Sequence, residues 1–133
     1  MGVFRVGIRL ASPSNPDTAR ELEAVVDTGS HYTLVPRTIV EELGIRPTRK
    51  MAARLANGIR IVRDMGQAEL SYGALSTVTW VVFGNPGDAV LLGAITLQEL
   101  GLEVDPTTET LRETEVYMFG VAGPARGASL PSV

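Results

Sequence analysis

No stretch of this chain keeps a helical apolar spacing for more than about two turns, whereas alternation with period two recurs between Gly, Pro and Asn breaks from Val3 to Phe119. That pattern makes sheet the dominant element. Val3 to Leu10 alternates Val, Arg, Gly and Arg with Phe, Val, Ile and Leu, and Ser12 to Asp17 then breaks the strand. Glu21 to Val26 runs from alternation into a continuous apolar pair and stops at Asp27-Thr28-Gly29, which places a carboxylate where a buried strand turns. Pro36 suits the first turn of a helix whose apolar face is Ile39, Val40 and Leu43, with Gly44 closing it. Met51 to Ala56 and Ile59 to Met65 flank Asn57-Gly58, the dipeptide suited to the positive φ angles of a two-residue hairpin turn. Gln67 to Tyr72 and Leu75 to Phe83 read as strands joined at Gly73, with Trp80 and Phe83 assigned to the core. After the Gly84 to Asp88 loop come a short strand, Ala89 to Leu92, and a short helix, Ile95 to Leu100, closed by Gly101. Val104-Asp105-Pro106 turns into Leu111 to Phe119, a last strand pair.

With 133 residues, 44% hydrophobic and 20% charged, the chain has the size and apolar content of one domain, residues 1–119. Residues 120–133 are Gly, Ala, Pro and Ser with one charge and are expected to form a flexible C-terminal tail. Twelve Lys and Arg against fifteen Asp and Glu leave a net charge of -3, so no global field draws the protein to nucleic acid or to an anionic membrane surface. Zero Cys excludes thiol chemistry and Cys-ligated zinc, and a single His, His31, builds no histidine metal site. No metal and no cofactor are expected. The apolar runs Val78 to Phe83 and Ala89 to Leu92 are far below the roughly 20 residues of a membrane-spanning helix. The N-terminus lacks the Ser or Thr that a myristoylation signal needs at position 6, and cytoplasmic residence is the expectation.

The segment that stands apart is Val25-Val26-Asp27-Thr28-Gly29-Ser30, because an acid closing an apolar strand is costly unless hydrogen bonds or a role keep it there. Gly29 allows a tight turn, and Thr28 and Ser30 supply hydroxyls able to hold a carboxylate. Taken alone, Asp-Thr-Gly reads as an ordinary turn with a capping Asp. A second element changes that reading: Val90-Leu91-Leu92-Gly93, an apolar strand ending in Gly and followed at once by a helix.

In this order, the Asp-Thr-Gly-Ser turn, the hairpin around Asn57-Gly58 and the Leu91-Leu92-Gly93 strand resemble the retropepsin-like aspartic peptidases. Asp27 to Pro36 also resembles the corresponding run of pepsin-type lobes, and Leu91-Leu92-Gly93 through Leu100-Gly101-Leu102 and Asp105 is similar to bacterial members. The resemblance covers Val3 to Phe119 and implies an all-β, closed retropepsin-like acid-protease barrel with a flap hairpin and one or two short helices. It implies that Asp27 is the catalytic aspartate, Thr28 the hydroxyl that locks two turns together, and Gly29 a backbone contact to substrate. Ser30 matches the residue whose side chain can bond the outer carboxylate oxygen, and the resemblance makes Leu91, Leu92 and Gly93 a second, supporting loop. Leu55, Ala56, Asn57, Gly58 and Ile59, within Leu55 to Ile61, would form the substrate-covering flap.

This chemistry places two carboxylates a few ångströms apart around one shared proton, and a chain with one Asp-Thr-Gly holds half of that site. A homodimer would complete it, with Val3 to Arg9 and Leu111 to Phe119 expected at the interface because unpaired edge strands are satisfied by a partner. The expected function is an aspartic endopeptidase acting on a peptide or protein substrate. The alternatives are a catalytically silent peptide-binding module of the same fold and a scaffold in which Asp27 is only a turn acid. The chain departs from viral members at His31, where those usually carry an acid; His31 reads as a packing residue or as a modulator of the acidic pair. Arg54, Arg60 and Arg63 read as a solvated strand face or as cations selecting acidic substrate side chains, and Arg46, Arg49 and Lys50 as a solvated basic stretch. Asp88 and Asp105 read as turn formers.

Overall fold

A computed structural model of the protein describes residues 3–116, 118 and 120. The first alternating segment forms β1 (Arg5–Ser12), which returns as β2 (Asn15–Val26) through a turn at Pro13 and Ser14. β2 begins six residues before the expected Glu21. Ala11 faces Ala19 and Ser12 faces Asn15, so Pro16, Asp17 and Thr18 bulge out of the ladder, where a missing N–H costs no hydrogen bond.

The remaining elements are β3 (Thr33–Pro36), α1 (Arg37–Glu42), β4 (Arg49–Arg54), β5 (Arg60–Tyr72), β6 (Leu75–Gly84), β7 (Leu91–Leu92) and α2 (Ala94–Leu100), followed by the hairpin β8 (Leu102–Asp105) and β9 (Thr110–Glu113). Two expectations are corrected here. The strand Ala89 to Leu92 shrinks to its last two residues, because only Leu91 and Leu92 lie between β2 and β3. The last strand is Thr110–Glu113 and pairs with β8, so it ends well short of Phe119; residues 117, 119 and 121–133, including nearly all of the expected tail, lie outside the described residues.

The main sheet runs β1-β2-β7-β3-β6-β5-β4, and β5 also pairs with β1 through Arg9–Ala11 and Glu69–Ser71. That last pairing closes six strands into a ring, with β4 hanging on β5 outside it. The closed β architecture with two short helices expected from the sequence is the one the chain adopts. Leu10, Val35, Leu70, Val81, Phe83 and Leu92 fill the ring, and Val40, Leu97 and Leu100 seal it from the two helices. The parallel pairs β2–β7 and β3–β6 sit at its centre. Their long crossovers send β4, β5 and the Gly84–Asp88 loop out and back.

The tightest point of the ring is where the segment leading into β3 crosses the end of β7. A Cβ on Gly93 would come within 2.5 Å of the carbonyl carbon and oxygen of Tyr32 and 2.9 Å from the His31 carbonyl oxygen, so only glycine fits. The same crossing satisfies the start of α2: the Ala94 and Ile95 N–H groups donate to the Ser30 and His31 carbonyls at 2.8 and 2.9 Å. Beneath it the Gly93 N–H donates to Thr33 Oγ1 at 3.1 Å, Thr33 and Thr96 hydroxyls meet at 2.7 Å, and Thr96 meets Thr79 at 2.9 Å. All three threonines are fully buried. The hairpin β4–β5 is anchored separately. Asp64 of β5 accepts from Lys50 of β4 at 2.8 Å and from Arg37 of α1 at 2.7 Å.

Gly93→Ala should lower stability by about 3 kcal/mol or prevent folding, since the backbone it meets cannot yield; an unchanged urea midpoint would contradict the crossing. Thr96→Val, nearly isosteric, should cost about 1–3 kcal/mol in the same assay, because Thr33 and Thr79 lose their buried partner. The Lys50 ammonium, then the Arg37 guanidinium, hold the Asp64 carboxyl below the usual carboxylate range against a smaller opposing effect of burial. A group depressed in the folded state contributes above its unfolded pKa of about 4 and loses that contribution as pH falls through the folded value. Asp64→Asn should therefore destabilise at neutral pH, with the gap from wild type closing below about pH 4 in parallel urea titrations; a gap independent of pH would refute the pairing.

Candidate active site

Asp27 emerges from the central parallel pair. The Val25 N–H donates to the Val90 carbonyl at 2.8 Å and the Asp27 N–H to the Leu92 carbonyl at 3.0 Å, which carries the ladder one residue past β2. Val26 is buried and Asp27 is half-buried at the mouth of the ring. The turn closes when the Ser30 N–H donates to the Asp27 carbonyl at 3.1 Å. The Gly29 N–H donates to Asp27 Oδ1 at 3.1 Å, and a Cβ there would approach that oxygen to 3.3 Å, so glycine lets the donor come close. One N–H satisfies little of a carboxylate that can accept about four hydrogen bonds, and the rest of its capacity faces the space in front of the turn.

Ser30 departs from its expected role. Its hydroxyl donates to the Tyr32 carbonyl at 2.9 Å instead of the Asp27 carboxylate, because the chain folds back toward β3 within two residues. Thr28 is exposed and makes no hydrogen bond among the described residues, so within one chain it joins no second turn. Leu91 faces the cleft, while Leu92 and Gly93 are buried behind the turn.

That cleft has a volume of about 890 Å3 and separates the Asp27 turn from the hairpin β4–β5. Asp27, Gly29 and Tyr32 line one wall, and Met51, Leu55 and Ile61 the other. Of the five hairpin residues singled out from the sequence, Leu55 and Ala56 line the cleft, and Asn57, Gly58 and Ile59 form the tip beyond it. The tip is not the expected two-residue turn. The Leu55 N–H donates to the Ile59 carbonyl and the Gly58 N–H to the Leu55 carbonyl, which leaves a three-residue loop with only Gly58 at positive φ. Asn57 acts through its side chain, accepting from the Ile59 N–H at 3.1 Å.

Other side chains sort by position. Asp88 is a turn former whose carboxylate accepts from the Asn85 N–H at 2.8 Å, and it also lines the cleft. Asp105 caps its own turn through Thr107 and Thr108; the Thr107 N–H is the main cause that holds its carboxyl below the usual range. Phe83 is core, but Trp80 is half-buried with the Arg49 guanidinium 5.3 Å from its ring centre, because its strand turns it to the outer face. His31, Arg54 and Arg63 line the cleft, and Arg60 does not. Among the described residues no group of three His, Asp or Glu could hold a metal ion, and no helix is long and apolar enough to cross a membrane.

Residues 18–99, from β2 through most of α2, match the profile of a family described as "gag-polyprotein putative aspartyl protease". Among solved structures, the fold is similar to that of the EIAV protease bound to an inhibitor, with a TM-score of 0.59, 15% identity, 78% of this chain covered and 93% of that one. It is also similar to the simian foamy virus (mac) protease, with a TM-score of 0.52, 20% identity, 73% of this chain covered and 94% of that one. No curated protein matches the chain in sequence. These likenesses establish a retropepsin-like fold, and the profile spans the Asp27 turn, the hairpin and the Gly93 crossing together. The chain belongs to this family of aspartyl proteases.

Proposed function

We propose that the protein is an aspartic endopeptidase that works as a homodimer, with Asp27 beside Asp27 of the partner subunit. The observation that carries this reading is a half-buried carboxylate, given a single N–H donor, at the mouth of a cleft and present once per chain. Two such carboxylates across a two-fold axis cannot both ionise, so they hold one proton between them. The ionised member takes a proton from a water molecule, whose oxygen attacks the scissile carbonyl carbon. The protonated member gives its proton to the carbonyl oxygen. The member that took the water proton then gives it to the amide nitrogen while the other takes back a hydroxyl proton of the gem-diol, and the C–N bond breaks, which returns the pair to one proton. Water and two carboxylates supply every atom transferred, so the scheme uses no metal or cofactor.

Tyr32, Met51, Leu55 and Ile61 give the cleft apolar walls for peptide side chains, and the hairpin tip is the segment whose closure would exclude water. Exposed Val3, Val116 and Met118 near the chain ends offer apolar surface for the second copy.

A diverse peptide library, scanned from mildly acidic to neutral pH, should be cut by the wild type and at least roughly a thousandfold more slowly by Asp27→Asn, which keeps shape and removes the acid. Sedimentation of the same samples should give a dimer mass. Equal cutting by both proteins would sink the assignment of Asp27, and a monomeric active species would sink the shared site. No cutting by a folded, dimeric wild type would leave a peptide-binding module of the same fold.

A further inference from the structure

The protein is acidic overall, and its cleft sets arginine against aspartate in equal number. Twelve Lys and Arg face fifteen Asp and Glu over the whole chain; Arg63 and His31 line one groove with Asp27 and Asp88, and the exposed Arg54 borders it. Along β5, Ile61 and Arg63 are half-buried while Arg60 and Val62 are exposed, so strand alternation turns Arg63 toward the cleft, directly across from Met51 of β4. Its sequence neighbour Asp64 lies on the opposite side of the pleat and is already held by Lys50 and Arg37. Arg54 is occupied too, with its guanidinium donating to the Gly58 carbonyl at 2.7 Å across the hairpin tip.

Neither cleft acid answers Arg63. One Asp88 oxygen accepts from the Asn85 N–H and Asp27 Oδ1 from the Gly29 N–H, and no ion pair or hydrogen bond reaches Arg63 among the described residues. Arg63 is half-buried, and its five guanidinium donors have no partner among the described residues, which leaves them open to an incoming carboxylate that the planar fork binds through two parallel hydrogen bonds.

We propose that Arg63 is a specificity residue that receives a Glu or Asp side chain of the peptide lying in the cleft. The inference rests on the reading of the cleft as a peptide site and narrows its substrates to segments bearing an acidic residue near the cut. Arg60, three residues earlier and therefore on the other side of the pleat, supplies the same charge without lining the groove.

Wild type, Arg63→Gln and Arg60→Gln are compared on matched peptides that carry Glu, Gln or Lys in turn at each position flanking a cut found in the library. At one position the Glu peptide should show a kcat/KM about tenfold above the Gln peptide at low salt, with the ratio shrinking as salt rises. Arg63→Gln should bring that ratio close to one and Arg60→Gln should preserve it. Absence of a Glu preference at every position, its survival in Arg63→Gln, or its equal loss in Arg60→Gln would each overturn the proposal. If the wild type cuts nothing, the peptidase reading fails separately, and the same ratio is read from fluorescence anisotropy with labelled Glu and Gln peptides. There, a Glu preference lost only in Arg63→Gln supports the assignment, and no preference or no binding of any peptide overturns it.

Discussion

Three buried threonine hydroxyls, from Thr33 of β3, Thr96 of α2 and Thr79 of β6, meet directly under the crossing of Gly93 and Tyr32, and the geometry of the Asp27 turn depends on that meeting. Water does not reach them, so each hydroxyl is satisfied only when all three elements sit in their native places. The Gly93 N–H adds a fourth member and ties the network to β7, the strand that carries the backbone of Asp27 through the Leu92 carbonyl. Above it, the first N–H groups of α2 are satisfied by carbonyls of the Asp27 loop itself. The helix is therefore completed by the turn it supports, and the turn is held on both sides by groups with no alternative partner.

Rigidity behind the carboxylate contrasts with the hairpin in front of it. Residues 52 and 54–60 are exposed, and the hairpin is secured mainly at its base, where Asp64 joins β4, β5 and α1, and at its tip, where Arg54 grips the Gly58 carbonyl. A hairpin fastened at root and tip but unpacked between them can move as a unit over the groove, the mechanical counterpart of a fixed carboxylate. Its inward face also sets the electrostatics. Alternation along β5 delivers Arg63 to the cleft and Asp64 to the outer ion-pair cluster from adjacent positions.

The turns and strands visible in the sequence follow from local chemistry. Asp27-Thr28-Gly29 ending an apolar run, Gly101 after a short helical pattern, and the Asn57-Gly58 break are each legible because a few adjacent residues decide the backbone there. Where the structure departs from these local preferences, a distant partner intervenes. Pro16 looked like a strand breaker, yet a bulge opposite β1 absorbs it. Asn57-Gly58 has the composition of a two-residue turn, but the pairing of Leu55 with Ile59 adds a residue to the loop. Ser30 sits where a hydroxyl could bond the carboxylate, and the backward path toward β3 hands it the Tyr32 carbonyl instead. Trp80 is a core residue by type, but its strand register exposes one face to Arg49.

By itself, the chain's order of residues determined the sheet-dominated architecture, the single Asp-Thr-Gly turn and the absence of thiol chemistry, since these rest on periodicity, local backbone preference and residue inventory. Only the tertiary structure decided that Thr33, Thr79 and Thr96 form one buried network, that Gly93 is dictated by a crossing 61 residues after Tyr32, and that Arg63 faces the cleft while Arg60 does not. The physical reason is that hydroxyl satisfaction, steric exclusion and charge exposure are properties of contacts between distant segments, and a threonine or arginine read in sequence carries no mark of which face its strand will turn inward.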